Sequence, residues 1–132
     1  MKFIIDTHIL VWWLRNETDR LTKTQLHILA EAEKLREAVA ISAMSLWELA
    51  MMIDRKQLLV TTSMNQWLEE LENHPLLIIL PLTARIAAES VQLTGFHRDP
   101  ADRIIVASAR QHGLSLLTAD HRIREWGNVK VV

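Results

Sequence analysis

Short, nearly unbroken apolar runs, each too brief for a helix, constrain this chain more than any other feature. Lys2-Phe3-Ile4-Ile5, Ala38-Val39-Ala40-Ile41-Ser42, Leu77-Ile78-Ile79-Leu80, Ser115-Leu116-Leu117 and Val129-Lys130-Val131 recur along its whole length. A run that is apolar at successive positions reads as a strand buried on both faces, the usual situation in a parallel sheet. Helical signals fill the intervals. Asp6-Thr7 precedes a first helix over His8 to Leu14, capped by Thr7; Thr22 and Gln25 form a capping box before Leu26, Leu29, Ala32 and Leu35; Ser45 caps a helix to about Arg55. A brief extended piece is expected over Leu58 to Val60. Ser63 with Gln66, Thr83, and Asp99 followed by Pro100 open three further helices, and Gly113 is placed to close the last. Strands alternating with helices predict the α/β class: a three-layer sandwich whose central parallel sheet has about five strands, with helices on both faces.

At 132 residues and 49% hydrophobic content the chain can close one core, so residues 1–132 are expected to form a single domain. A net charge of −1 argues against a general electrostatic blanket for nucleic acid, while leaving room for a basic rim around an acidic centre. Having no Cys, the chain offers no disulfide framework, no zinc-thiolate site and no cysteine nucleophile. Three apolar residues before Asp6 are too few for the core of a secretion signal, and no later run approaches about 18 apolar residues. A soluble, cytoplasmic protein without a membrane span is expected.

Against this apolar frame the acids stand out. Asp6 ends the first run and Asp120 lies just beyond the fourth, so both fall past the carboxyl end of a buried strand. Glu48 and Asp102 are expected in the first turns of helices that follow loops on the same rim. In an open parallel sheet that rim is where ligands bind. Two unpaired carboxylates about 4 Å apart repel by roughly 4 kcal/mol at an effective dielectric near 20, so four together call for a cation. Mg²⁺ or Mn²⁺ suits an all-oxygen site.

Each acid also has a purely structural reading. Asp6 can be an N-cap, Asp120 a turn former, and Asp102 a carboxylate serving the helix terminus three residues after the Asp99 cap. Glu48, one turn from Met44, Ser45, Met51 and Met52, interrupts an apolar stripe, unless it is an edge residue with Trp47 turned inward. The convergence of four separate elements on one rim favours a shared site, because independent caps need not agree in that way.

The remaining chemistry is sparser. No two of the six His residues form a His-x-x-x-His pair, so a His-based metal site is not expected, although His8, His97 and His121 lie near the acidic rim. Trp12, Trp13 and Trp47 sit in apolar helical stretches and read as core or interface anchors rather than nucleobase platforms, a role that requires exposure. Arg98, Arg103, Arg122 and Arg124 flank the acids where phosphates would approach, or else form surface ion pairs. Three Gly in the whole chain provide no phosphate-binding loop.

Four segments together resemble the PIN-domain ribonucleases, specifically the VapC-type toxins of bacterial toxin-antitoxin pairs. They are Asp6-Thr7-His8 with Leu10 and Trp12-Trp13; Ser42-Ala43-Met44-Ser45-Leu46-Trp47-Glu48; His97-Arg98-Asp99-Pro100-Ala101-Asp102-Arg103; and Leu116-Leu117-Thr118-Ala119-Asp120. The resemblance covers nearly the whole chain and implies a PIN-like sandwich. It implies Asp6, Glu48, Asp102 and Asp120 as metal-binding, catalytic carboxylates, with Asp99 and the Thr118 hydroxyl in support; Thr7 and Ser45 stand beside them in the same motifs. Arg98, Arg103 and Arg122 are the candidates for contacting substrate. An endoribonuclease dependent on Mg²⁺ or Mn²⁺ is implied, acting on structured RNA such as tRNA, as a homodimer held in check by a small VapB-type antitoxin. Arg55-Lys56-Gln57 departs from the pattern, standing where relatives often carry a Gly-containing turn. Two other classes compete: a receiver-like module that binds Mg²⁺ at the same rim but accepts a phosphoryl group, and a catalytically silent binding partner whose acids are only caps. Asp6 lacks the acidic neighbour of a receiver and no acid directly follows Leu80, which weighs against the first.

Overall fold

Ile4, Ala40 and Leu116 face one side of the sheet, and Ile5, Ile41 and Leu117 the other, so the strands are apolar on both faces as their sequences require. The computed structural model describes all 132 residues. Strands β1 (Phe3–Ile5), β2 (Val39–Ser42), β3 (Leu77–Leu80) and β4 (Ser115–Leu117) form one sheet in the order β3-β2-β1-β4. All pairings are parallel, with Ile4 opposite both Ala40 and Leu116. The helices are α1 (Thr7–Leu14), α2 (Lys23–Leu35), α3 (Ala43–Asp54), α4 (Met64–Glu72), α5 (Ala84–Gln92), α6 (Pro100–His112) and α7 (His121–Trp126). On one face Ile9, Leu10, Leu29, Leu49 and Leu71 from α1 to α4 pack against Ile5, Ile41 and Leu117. On the other, Ile105, Val106 and Ala109 of α6 and Ile123 of α7 pack against Ile4, Ala40 and Leu116. The result is the expected three-layer α/β sandwich.

The sheet has four strands where about five were expected. Residues 129–131 meet β4 in one parallel bridge, Leu116 with Val131, flanked by bonds from the Leu116 N–H to the Lys130 carbonyl (2.8 Å) and from the Val132 N–H to the Leu116 carbonyl (2.9 Å). This segment meets the sheet edge after a left-handed turn at Gly127, and its pairing is confined to that bridge. Leu58 to Val60 forms no strand either; Leu58 is instead buried in the core.

Two helix starts differ from the sequence expectation. Asp6, not Thr7, caps α1, accepting from the Thr7 N–H at 2.7 Å. Ser42, not Ser45, caps α3, because β2 runs into the helix without an intervening loop and the Ser42 hydroxyl already reaches the Met44 N–H at 3.0 Å. With Ala43 as its first residue, α3 places Glu48 in the second turn rather than the first. Lys56, in the segment that departs from the family pattern, takes the left-handed conformation at φ 57, so the turn a glycine would make is made by a lysine.

The order of the sheet also locates the site. From β1 the chain moves to β2 and then β3 on one side, and β4 joins on the other. The strand order therefore reverses at β1, and the crevice beyond its carboxyl end is the topological switch point.

Candidate metal centre

Asp6 emerges at that switch point. Its own N–H continues the sheet by donating to the Leu117 carbonyl at 3.0 Å, which fixes its side chain over the rim, and only 6% of the residue is exposed. Around it the loop after β4, helix α3 and the start of α6 close a cavity of about 320 Å³. Asp6, Glu48, Asp99, Asp102 and Asp120 all line it, together with His8, Trp12 and Arg122. The four acids that the sequence placed on one rim thus share one space, and Asp99 joins them.

Each acid is held by a different donor. The Thr118 hydroxyl donates to Asp6 Oδ2 at 2.8 Å. Thr7 donates to Glu48 Oε1 at 2.6 Å and shares a 2.9 Å hydroxyl contact with the buried Ser45. Asp102 Oδ2 lies 2.8 Å from His97 Nε2, and the Asp102 N–H donates to the Asp99 capping oxygen at 3.1 Å. Asp120 Oδ1 accepts from the Arg122 N–H at 2.8 Å while Arg122 Nη2 reaches Oδ2 at 2.9 Å. The supporting hydroxyls Thr7, Ser45 and Thr118 therefore stand at the acids, and Thr118 serves two of them, since its oxygen also accepts from the Asp120 N–H at 3.0 Å.

The electrostatics are those of crowded anions. Burial pushes the Asp6 carboxyl up, and the Asp102 charge adds to it against the opposing Thr118 bond. Glu48 is raised by burial and by the charges of Asp6, Asp102 and Asp99. Asp102 is raised by burial, with Asp99 and Asp120 contributing. Asp120 goes the other way: burial would raise it, but the bonds from Arg122 and its positive charge outweigh burial and hold the carboxyl below the ordinary range. A group of oxygens that resist ionising together, facing one cavity and balanced by a single exposed arginine, matches what a hard divalent cation requires.

The tightest donor group differs from the four acids. One ligand atom each from His97, Asp102 and Asp120 falls within 4.8 Å of the others, while Asp6 and Glu48 line the same cavity farther off. His97, expected near the acidic rim, thus meets Asp102 directly, although no helical ligand spacing marks the pair: it reaches Asp102 from five residues away across the turn before α6. His8 lines the cavity from the start of α1, and His121 does not line it.

The arginines divide. Arg122 is at the cavity, 3.7 Å from Asp102 Oδ2 as well as bonded to Asp120. Arg98 is exposed on the loop before α6. Arg103, expected as a substrate contact, is committed elsewhere: its guanidinium donates to the carbonyls of Ser90, Val91, Leu93, Phe96 and His97 at 2.7–3.3 Å. Five carbonyls saturate its donors, which makes it a brace for the α5–α6 connection. Arg124 likewise turns inward, to the carbonyls of Thr118 and Val132.

By sequence, Gln25 is only half of a capping box. It is that, accepting from the Thr22 N–H, but its amide nitrogen also donates to the Thr118 carbonyl at 3.1 Å and the Val132 carbonyl at 2.9 Å. It therefore steadies from behind the residue whose hydroxyl serves Asp6 and Asp120. Its 93-residue separation from Thr118 leaves no local signal.

Comparison with known proteins agrees with this geometry. The PIN domain model matches residues 3–128. Ribonuclease VapC22 of Mycobacterium tuberculosis (strain ATCC 25618 / H37Rv) is 33% identical over 122 residues, spanning 92% of this chain and 88% of the relative. FitAcB from Neisseria gonorrhoeae superposes with a TM-score of 0.69 at 27% identity, covering 98% of this chain and 95% of that one. The same fold occurs in VapBC2 from Rickettsia felis bound to a DNA fragment from their promoter, with a TM-score of 0.73 at 19% identity over 100% of this chain and 98% of the other.

Proposed function

This chain belongs to the PIN-domain family, and from that premise we propose that it is a ribonuclease toxin. It is an endoribonuclease dependent on Mg²⁺ or Mn²⁺ that hydrolyses phosphodiester bonds, with structured RNA such as tRNA among its targets, and a cognate VapB-type antitoxin restrains it. The observation that carries this reading is the single cavity in which Asp6, Glu48, Asp102 and Asp120 meet without enough positive charge of their own. Kinship with Ribonuclease VapC22 gives that cavity its chemistry.

Asp6 and Asp102 would hold the ion directly, and Glu48 and Asp120 would complete the shell or orient water. When bound, a divalent ion there supplies Lewis acidity to the phosphodiester and lowers the pKa of water to that of a usable nucleophile. Thr118, Thr7 and Ser45 fix the carboxylate rotamers, Asp99 caps the helix that carries Asp102, and no side-chain nucleophile is needed. Arg122, exposed at the mouth and bonded to Asp120, can exchange that carboxylate for a substrate phosphate, and Arg98, exposed on the loop before α6, is the second candidate cation.

The test is cleavage of RNA by nuclease-free protein with Mn²⁺ or Mg²⁺ and with chelator. Chelator is expected to stop cleavage, and Asp6→Asn to lower the rate by about 100-fold or more; a variant that cuts at the parent rate refutes the assignment. The homodimer finds its support in Ile78, Leu82 and Val91, large apolar side chains exposed along β3 and α5.

A further inference from the structure

Beside the acid cavity lies a second one of about 380 Å³, and the two share His8, Glu48 and Asp99. Its outer wall is Trp47, whose neighbour in sequence is the acid Glu48. On a helix successive side chains point about 100° apart, so the residue that sends Glu48 into the acid cavity sends Trp47 to its flank. Trp47 is 53% exposed, which also removes the alternative in which it turns inward and leaves Glu48 at the edge. Trp13 and Trp126 use their indole N–H groups within the fold, on Glu33 and on the Thr94 carbonyl; the indole N–H groups of Trp12, Trp47 and Trp67 have no protein partner, and of these three rings only that of Trp47 is exposed. Met51, Met52, Arg55 and Gln57 also line the groove, and Arg55 has no ion-pair partner.

We propose that this groove is a nucleobase subsite, in which an unpaired base adjoining the scissile phosphate stacks on Trp47. The inference rests on the ribonuclease reading and deepens it by assigning the side chains that hold the base beside the cut phosphate. An exposed indole with a free N–H offers the flat, sequence-tolerant platform that base stacking needs. Arg55 supplies a cation for a backbone phosphate at the far end of the groove, and the Gln57 amide can meet a base edge. Continuity does the rest: a strand whose phosphate sits at the acids has its neighbouring base within the shared wall of His8, Glu48 and Asp99. A base inside a duplex cannot reach Trp47 without leaving its stack, so the groove selects against paired RNA.

The experiment measures binding apart from cleavage. A fluorescein-labelled heptanucleotide RNA of mixed sequence, single-stranded or annealed to its complement, is titrated by anisotropy with parent protein, Trp47→Phe and Trp47→Ala, with Ca²⁺ in place of Mg²⁺. Single-stranded RNA is expected to bind more tightly than duplex, Trp47→Ala to weaken it by about 5- to 150-fold, and Trp47→Phe to retain most of the affinity. In cleavage assays the Ala variant raises KM with little change in kcat. Circular dichroism and thermal melting establish that the variants fold; if Trp47→Ala does not, Arg55→Ala and Gln57→Ala carry the same expectation. Unchanged affinity in Trp47→Ala, equal binding of duplex, or an effect of Trp47→Ala on sedimentation instead of on RNA would overturn the proposal, the last by making the patch a protein contact. Trp47-dependent RNA binding in a protein that cuts nothing would refute the nuclease reading alone.

Discussion

Thr118 concentrates more of the site in one side chain than any acid does. Its hydroxyl donates to Asp6 and accepts from the Asp120 N–H, so a single oxygen sets the distance between the acid after β1 and the acid after β4. The backbone of the same residue is pinned by Gln25 and Arg124. Removing the hydroxyl leaves a buried carboxylate short of a donor and frees the Asp120 peptide, with almost no change in volume. Thr118→Val is therefore expected to weaken Mn²⁺ binding and RNA cleavage by about 10- to 100-fold, the usual cost of losing a group that orients a metal ligand. Thr118→Ser is expected to restore most of both. Calorimetric Mn²⁺ titration checks this, and a Val variant with parent affinity would show that Asp6 needs no such partner.

At the scale of elements, the acids were readable because each follows a local pattern: an apolar run that stops at Asp6, another that stops just before Asp120, and the Asp99-Pro100 helix start that puts Asp102 at its third position. What holds them was not readable, because Thr118 with Asp6, Thr7 with Glu48 and Gln25 with Thr118 are contacts across 112, 41 and 93 residues. Helix α3 shows an intermediate case. Either Ser42 or Ser45 could cap it, and only the direct strand-to-helix passage decides for Ser42, which moves Glu48 down one turn and leaves Ser45 to back Thr7. Arg103 is the clearest case of a side chain whose bonds differ from its sequence expectation. Beside Asp102 it looks like a phosphate contact, yet it ties the segment between α5 and α6 that delivers His97 and Asp99 to the cavity. Lysine cannot copy a planar fork that reaches five carbonyls, so Arg103→Lys is expected to cost roughly 1–3 kcal/mol in urea unfolding and to speed amide exchange over residues 93–99. A midpoint equal to the parent's would mean that the segment holds its shape unaided.

Taken as a whole, the molecule loses stability at its acid cavity. Asp6, Glu48 and Asp102 all titrate above the ordinary carboxyl range, through burial first and mutual repulsion next. Between the unfolded pKa, about 4, and those raised values, the folded protein keeps protons that the unfolded chain has released. Stability of the metal-free protein therefore falls as pH rises through that interval and levels off above it. Asp120, held low by Arg122, has the opposite sign, but its contribution is lost only as pH falls below about 4, outside the interval. A divalent ion held as proposed would bind the deprotonated oxygens, so its stabilisation is expected to grow over the same interval in which the metal-free protein weakens. Melting in chelator is expected to show a Tm that declines as pH rises above about 4.5. At pH 7.5, Mn²⁺ at about 100 times its Kd is expected to raise Tm by roughly 8–13 °C, with a far smaller rise near pH 4.5. Asp6→Asn, neutral at every pH, flattens the decline and blunts the response to Mn²⁺ together, because both originate in the same crowded oxygens. A Tm that climbs with pH in chelator, or an Mn²⁺ shift of equal size at both ends, would separate the two effects and show that the acids are not stabilised by sharing an ion.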